Sequence, residues 1–505
     1  MKYLSGMFQG KVFYTAVTLL LVFIMAARTP LDTDLWWHLR AGEEFLDTGR
    51  PVMVDTYSFT RQGLSWTNHS YLSQLFLAIA YRLAGFTGVG FLMVLVIVIG
   101  VFFILLQMKG HPLFKLPLLI LGSLVMAPVW SARPQVFSFL MLGITTWIMY
   151  QWKNSQDRRI YRLPFLFILW SNLHGGYPLG LIYLGTILAA LGIQQIWMEI
   201  NRKQFCENRE FDLQIRTGWR KVFILVGVLI ASYLLTAINP NGIRMWLVPF
   251  ETVNIHALQT FLDEWSSPNF HQFFQQPFLW LLGSLFLVAA LGGHSWKIED
   301  ALVVVVFGWM AFIARRNFAP FSIVSLPILS HYLWKKVDGF HAHPFISSIK
   351  LAGHSRAIPS SISNMVNLLI VLILLSVGVM KLSWVTSPGL IQSLLPSIAP
   401  VGAVKWLKEN IPAGRVFNDY NWGGYLIWEL RAIPVFIDGR TDLYGDTILN
   451  DYIKIIRTDE GWQAELDKWE IGTVIIPPST PLAKQLKMKD WKIVYEDQRS
   501  IIIVR

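Results

Sequence analysis

Nothing limits this chain so strongly as its succession of long apolar runs. They fall at about Val12–Ala27, Phe86–Gln107, Leu116–Trp130, Val136–Tyr150, Leu163–Asn172, Tyr177–Trp197, Val222–Ile238, Pro277–Leu291, Ala301–Ala314, Phe318–Leu333 and Met365–Leu382. Runs of this kind approach the roughly 20 residues that a helix needs to cross a ~30 Å hydrocarbon core. Inside lipid every backbone N–H and C=O must find a partner within the protein, which a helix provides by itself. The expectation is a polytopic α-helical membrane protein with about 11 transmembrane helices. The fifth run is short and must be tilted or paired with the sixth through "NLHGGY". Lys2 and Lys11 precede the first run as in a signal peptide, but so many spans follow that an uncleaved first helix is the better reading.

Composition agrees. Only 15% of the 505 residues are charged, where a soluble chain carries about a quarter. Many of the 22 tryptophans stand near the ends of the runs, as in an interfacial belt. The single cysteine, Cys206, rules out an intramolecular disulfide, which fits a bacterial membrane better than an oxidising secretory one; it is given no role. From Ser397 onward 14 Lys and Arg face 15 Asp and Glu, so the net charge of +11 resides in the membrane part. That placement reads as topology and phospholipid contact, not nucleic-acid binding.

Basic residues cluster in alternate loops: Lys109 and Lys115; Lys153, Arg158, Arg159 and Arg162; Arg202, Lys203, Arg209, Arg216, Arg220 and Lys221; Lys335 and Lys336. Eleven crossings put all of them on one side, with the N-terminus cytoplasmic and the C-terminus outside. The count requires that Tyr71–Leu83, which carries Gln74 and Arg82, lies on the outer surface as an amphipathic helix. Trp36–Leu46 is a second surface helix, with Asp34 at its N-cap. The first external loop, residues 28–85, thus holds two juxtamembrane helices. Residues 1–385 form the membrane domain. Residues 386–505 alternate helical periodicity with short apolar strands such as "PVFIDGR", "GTVIIP" and "SIIIVR", which predicts a small extracytoplasmic α/β domain with a largely parallel sheet.

This topology gathers Asp32, Asp34, His38, Arg40, His69, Arg133, His174, Arg244, Asp263, Glu264, Arg315 and Arg316 on the outer face. Arg133, Arg244, Arg315 and Arg316 stand beside span ends on the side that the positive-inside rule depletes, and so mark a functional site. Guanidinium binds phosphate oxygens bidentately, and a carboxylate beside such a wall supplies a general base. Plainer readings stand beside these. Asp34 can cap a helix, Trp36 and Trp37 can anchor in the interface, and His69 and His174 can be polar loop ends. Asp438, Arg440 and Asp442 follow an expected strand, where ligands bind in α/β units, or form a buried ion pair.

The stretches "DTDLWWHLRAGEEFLDTG" and "NHSYLSQLFLAIAYRLAG" resemble the first external loop of the GT-C superfamily of membrane glycosyltransferases. The nearer resemblance is to protein mannosyltransferase-like enzymes and lipid A aminoarabinose transferases, in layout over residues 10–335. "DLWWHLRAGE", "RPQVFS", "NLHGG" and "DGRTDLY" are also similar to stretches of uncharacterised bacterial membrane proteins. The resemblance implies Asp34, or Asp32, as the catalytic carboxylate. It implies His69, Arg133, His174, Arg315 and Arg316 against the donor phosphate, with His38, Arg40, Arg244 and Glu264 in the substrate region. The acidic pair is Asp-Thr-Asp where the relatives have adjacent Asp-Glu, and Asp32 with Asp34 could hold a divalent metal, Mg or Mn, as in oligosaccharyltransferases. Histidines replace lysines at the phosphate positions, which makes binding pH-sensitive. The implied activity is transfer of a sugar from a polyprenyl-phosphate donor to a glycan, lipid or protein acceptor, on the outer face of a bacterial plasma membrane. The alternatives are a polymerase or ligase of lipid-linked polysaccharide, and a non-catalytic transporter or assembly protein; a transporter should carry mid-span charges, and these spans nearly lack them.

Overall fold

The computed structural model describes residues 10–155, 157–201, 209–257, 262–291, 296–341 and 360–505; Arg202, Lys203 and Cys206 lie outside them. All eleven apolar runs lie in helices. In chain order these elements are α1 (Lys11–Ala26), α2 (Leu35–Thr48), α3 (Tyr71–Gln107), α4 (Pro112–Met126), α5 (Gln135–Ser155), α6 (Leu163–Leu173), α7 (Pro178–Ile200), α8 (Arg209–Leu235), α9 (Val248–Val253), α10 (Gln276–Ala290), α11 (Ile298–Ile313), α12 (Phe318–His341) and α13 (Ser360–Val385). By length and composition, 6 helices among the described residues are able to cross a membrane. The other runs are shorter or less apolar: α6 has 11 residues, about 16 Å of helix at 1.5 Å per residue. One contiguous core joins these helices, with Leu35, Leu77, Val136, Leu142, Phe167, Trp170, Phe278 and Phe321 buried in it.

The surface segment Tyr71–Leu83 and the span beginning at Phe86 are one run of α3 broken between them. Ala84 leaves helical geometry and Gly85 takes φ 58°, a left-handed conformation open to glycine without steric cost. The break frees the first part of α3 to pack on α2, with Ser73, Gln74, Leu77 and Ala78 buried.

Beyond α13 the chain continues through α14 (Pro388–Ile398), α15 (Val401–Glu409), β1 (Arg415–Asn418), α16 (Gly423–Glu429), α17 (Thr441–Arg457), α18 (Trp462–Lys468), β2 (Ile471–Ile476), α19 (Pro481–Lys487), β3 (Lys492–Glu496) and β4 (Ile501–Val504). The sheet order is β1-β2-β4-β3. Only β1 and β2 run parallel, while β4 is antiparallel to both β2 and β3, so the expectation of a largely parallel sheet is corrected. The reason is local: β3 and β4 are joined by a tight turn in which Asp497 accepts from the backbone N–H of Arg499 and Ser500, and so short a connection allows only an antiparallel pair.

"PVFIDGR" is a second correction. It is no strand of this sheet; Val435 instead bridges to Ser58 of the first long loop, and the Val435 N–H donates to the Tyr57 carbonyl. Arg440 then ties the two segments together. Its guanidinium pairs with both oxygens of Asp438, at 2.9 and 2.7 Å, and with Asp55 at 2.6 Å. It lies 5.0 and 4.9 Å from the Tyr57 and Trp66 ring centroids. All three charged side chains are fully buried. The ion-pair reading of "DGR" is therefore the observed one, and its partner across the interface is Asp55.

Candidate functional site

A cavity of about 780 Å³ opens where the helix ends, the first long loop and the C-terminal domain meet. Asp32, Asp34, His38, His69, Arg133, His174, Glu264, Arg315 and Arg316 all line it, although they come from six separate stretches of sequence. Arg40 does not reach it. Arg244 lines a side pocket of about 70 Å³ that shares Thr252 and Asp442 with the main cavity.

The acidic end is built around Arg133, in the turn before α5. Its Nε donates to Asp32 Oδ1 at 2.5 Å, and one terminal nitrogen lies 3.0 Å from Asp34 and 3.3 Å from Glu264. Burial opposes the charge, but three carboxylates hold this guanidinium protonated well above its ordinary range. Asp34 stands at the N-cap position of α2 without capping it. Its Oδ1 accepts from Trp37 Nε1 at 3.2 Å, while the Asp32 carboxylate accepts from the Asp34 N–H at 2.9 Å. Burial pushes the Asp34 carboxyl up to about 7; Asp32 and Glu264 add repulsion, and Arg133 and Trp37 work against it. Asp34 is thus a carboxyl tuned to lose its proton near neutral pH, as a general base requires. Arg133, expected against a phosphate, is engaged instead with the carboxylates.

That engagement also bears on the metal. Among the described residues no three His, Cys, Asp or Glu side chains are placed to hold an ion. Asp32 and Asp34 both turn toward the Arg133 guanidinium, so the donor set does not fit a divalent cation.

The opposite end is cationic and rich in N–H donors. Arg316 lies 4.3 Å from the Trp265 ring centroid and makes no ion pair among the described residues. Burial lowers its pKa from the usual value, with Glu264 partly offsetting and Arg133 adding to the effect. Arg315 reaches Asp263 at 3.4 Å. The His69 and His174 rings are 6.0 Å apart and near-perpendicular. His174 is pushed well below the ordinary histidine range by burial, then by His69 and Arg316; His38 is lowered in the same way by burial, Arg133, His174 and His69. Both rings are therefore neutral near pH 7.

The C-terminal domain supplies a wall that sequence reasoning did not place here: Tyr420, Asn421, Gly439, Thr441 and Asp442. Gly439 touches the acidic end directly. A Cβ built on it would fall 1.8 Å from Asp34 Oδ1, so no larger residue fits while that carboxylate holds its position. Gly439→Ala is expected to displace the Asp34 carboxylate by about 1 Å and slow turnover about 100-fold, with the melting temperature nearly unchanged. Unchanged turnover would show that the contact is slack. The sequence signals for this wall are the polar, glycine-bearing turns "FNDYNWGG" and "DGRTD"; nothing local says which helix ends they face.

No family model matches this chain, and no curated protein matches its sequence. Solved structures do match. The Archaeoglobus fulgidus oligosaccharyltransferase tethered with an acceptor peptide aligns over 93% of this chain and 69% of its own, at 11% identity and a TM-score of 0.54. The same organism's AglB, in complex with an inhibitory peptide and a dolichol-phosphate, aligns over 91% and 69% at 11% identity and TM-score 0.53. ArnT from Cupriavidus metallidurans, bound to undecaprenyl phosphate, aligns over 97% of each chain at 14% identity and a TM-score of 0.47. The likeness to the oligosaccharyltransferases is one of fold.

Proposed function

We propose that this chain is an inverting glycosyltransferase of the GT-C type, acting at the extracytoplasmic face of a bacterial plasma membrane on a polyprenyl-phosphate-linked sugar. The observation that carries the reading is one cavity holding, at one end, a carboxyl poised near neutrality and, at the other, an arginine that makes no ion pair among the described residues, beside His69 and His174. The shared fold with an oligosaccharyltransferase solved with dolichol-phosphate supports it.

In the proposed reaction Asp34 takes the proton of an acceptor hydroxyl, whose oxygen attacks the anomeric carbon. The bond from that carbon to the phosphate oxygen breaks, and polyprenyl phosphate leaves. Negative charge grows on the departing phosphate, where Arg316, His69 and His174 stabilise it, with Arg315 beside them. Fixed donors in a partly dry site are worth more than water there. Arg133 holds Asp32, Asp34 and Glu264 in place. The wall of Tyr420, Asn421, Thr441 and Asp442 faces the acceptor, and the side pocket at Arg244 extends that end.

The reading is tested by following release of free polyprenyl phosphate from a panel of polyprenyl-phosphate sugars, using protein in nanodiscs. Wild type is expected to release it. Arg316→Gln is expected to lose a charged hydrogen bond of about 1.5–3 kcal/mol, roughly 10- to 100-fold in kcat/KM. Release unaffected by that change would move the phosphate elsewhere. A pH profile adds an independent check. A base must be deprotonated, so the rate should rise as pH passes through about 7, where Asp34 loses its proton. A rate already maximal at pH 5 would remove Asp34 from the role.

A further inference from the structure

We infer that the paired glycines of "NLHGG" and the side chain of Gln74 are positioning groups that hold His174, His69 and His38 in a single tautomer, with the proton on Nε2, so that three neutral N–H donors face the cavity. The inference deepens the proposed function and rests on it for what the donors bind, but the tautomers themselves follow from hydrogen-bond geometry alone.

A backbone N–H can only donate, so any ring nitrogen that receives one must carry a lone pair. The Gly176 N–H donates to His174 Nδ1 at 3.0 Å, and the Gly175 N–H donates to His69 Nδ1 at 3.3 Å. Two consecutive amides thus occupy the Nδ1 positions of two different imidazoles. His174 has further support from Ser138, whose hydroxyl lies 2.8 Å from the same Nδ1. That hydroxyl accepts from the buried Trp170 Nε1 at 2.8 Å, which leaves its own proton for the ring. The turn has no room for a side chain: a Cβ on Gly176 would fall 2.4 Å from Ser138 Oγ and 2.8 Å from His174 Nδ1.

His38 is governed by side-chain amides whose orientation is determined from both ends. Asn68 Nδ2 donates to the Val52 carbonyl at 3.1 Å, and Asn68 Oδ1 accepts from the Ser70 N–H at 3.3 Å. A carbonyl cannot donate and an N–H cannot accept, so Asn68 cannot be flipped. Its two bonds with Gln74, at 2.8 and 3.0 Å, then orient Gln74 in turn. The remaining Gln74 Nε2 proton points at His38 Nδ1, 3.4 Å away. All three rings line the cavity, and Nε2 is the nitrogen left to meet a ligand. For His69 that nitrogen lies 3.7 Å from Asp442. A neutral N–H donor fits a phosphate oxygen without adding full positive charge beside Arg316 and Arg133.

The test is 15N NMR of histidine-labelled full-length protein in nanodiscs at neutral pH, with each ring assigned by its loss in the corresponding His→Gln variant. The expected result is a neutral, Nε2-protonated signature for His38, His69 and His174. Gln74→Glu places an acceptor at His38 Nδ1 and is expected to draw a proton there, changing His38 and leaving the other two rings as they were. An Nδ1-protonated or imidazolium signature at any of the three in wild type would overturn the inference, as would a His38 indifferent to Gln74→Glu. Absence of polyprenyl phosphate release from every donor, with the three signatures in place, would count against the functional reading and leave the tautomers standing.

Discussion

Asp34→Asn is expected to abolish sugar transfer, lowering kcat by about 10²–10⁴-fold, the range for loss of a positioned general base. The substitution keeps the size of the side chain, and an amide can still accept from Trp37 Nε1. It removes the one carboxyl in the cavity that is tuned to about 7. It also removes one of three carboxylates from Arg133, which keeps Asp32 at 2.5 Å and Glu264 at 3.3 Å. The fold should therefore survive, with a melting temperature close to wild type. Asp32→Asn is the control. Asp32 binds the Arg133 Nε and the Asp34 backbone, so its loss should loosen Asp34, with a smaller fall in kcat. The measurement is single-turnover release of polyprenyl phosphate by the three proteins. A larger loss for Asp32→Asn than for Asp34→Asn would exchange their roles.

The largest effect on stability is expected at Arg440. Arg440→Met keeps most of the volume but leaves Asp438 and Asp55 with no cation between them, both fully buried. Breaking a buried pair by removing one partner costs about 3–5 kcal/mol, because the remaining charges have neither solvent nor counter-ion. The cost falls at the junction of the first long loop and the C-terminal domain. Limited proteolysis should therefore cut between residues 50 and 66 or beyond Val385 before the membrane helices are attacked. Asp55→Asn in the Arg440→Met background removes one of the two stranded charges, returns the cluster to its wild-type net charge and should recover part of the loss. If Arg440→Met melted like wild type, the junction would not depend on this ion pair. Gly439 precedes Arg440 and touches Asp34, so the same variant should also lower turnover.

Much of the site was legible before any fold was known. Asp32 and Asp34 stood beside a span end, four arginines stood where the charge rule depletes them, and the histidines lay in the same loops. All but Arg40 and Arg244 reach the cavity. The logic is one of solvent: beside a membrane, an ionisable side chain is costly unless it has a use. What could not be read was which cation meets which carboxylate. Arg133 and Arg316 look alike in sequence. Arg133 is drawn into the acidic cluster, while Arg316 lies against Trp265 with its charge facing the cavity. Gln74 and Ser138 carried no signal, because their effect passes through a ring nitrogen on another element.

The C-terminal domain shows the same division more sharply. Strand-like composition placed "GTVIIP" and "SIIIVR" correctly as β2 and β4, but "PVFIDGR" has similar composition and pairs outside the sheet with Ser58. Composition reports how well a segment suits a half-buried extended backbone, and says nothing of which backbone lies beside it. The sequence by itself thus determined where helices form, the separation of Tyr71–Leu83 from the run beginning at Phe86 and the residue types gathered at one end of the helices, because each follows from local backbone preference or from transfer between water and lipid. Only the tertiary structure decided that a carboxylate at the start of α2 would be shaped by a glycine some four hundred residues later. Contacts of that range depend on how separate elements dock, and docking is set by shape and charge across the whole molecule.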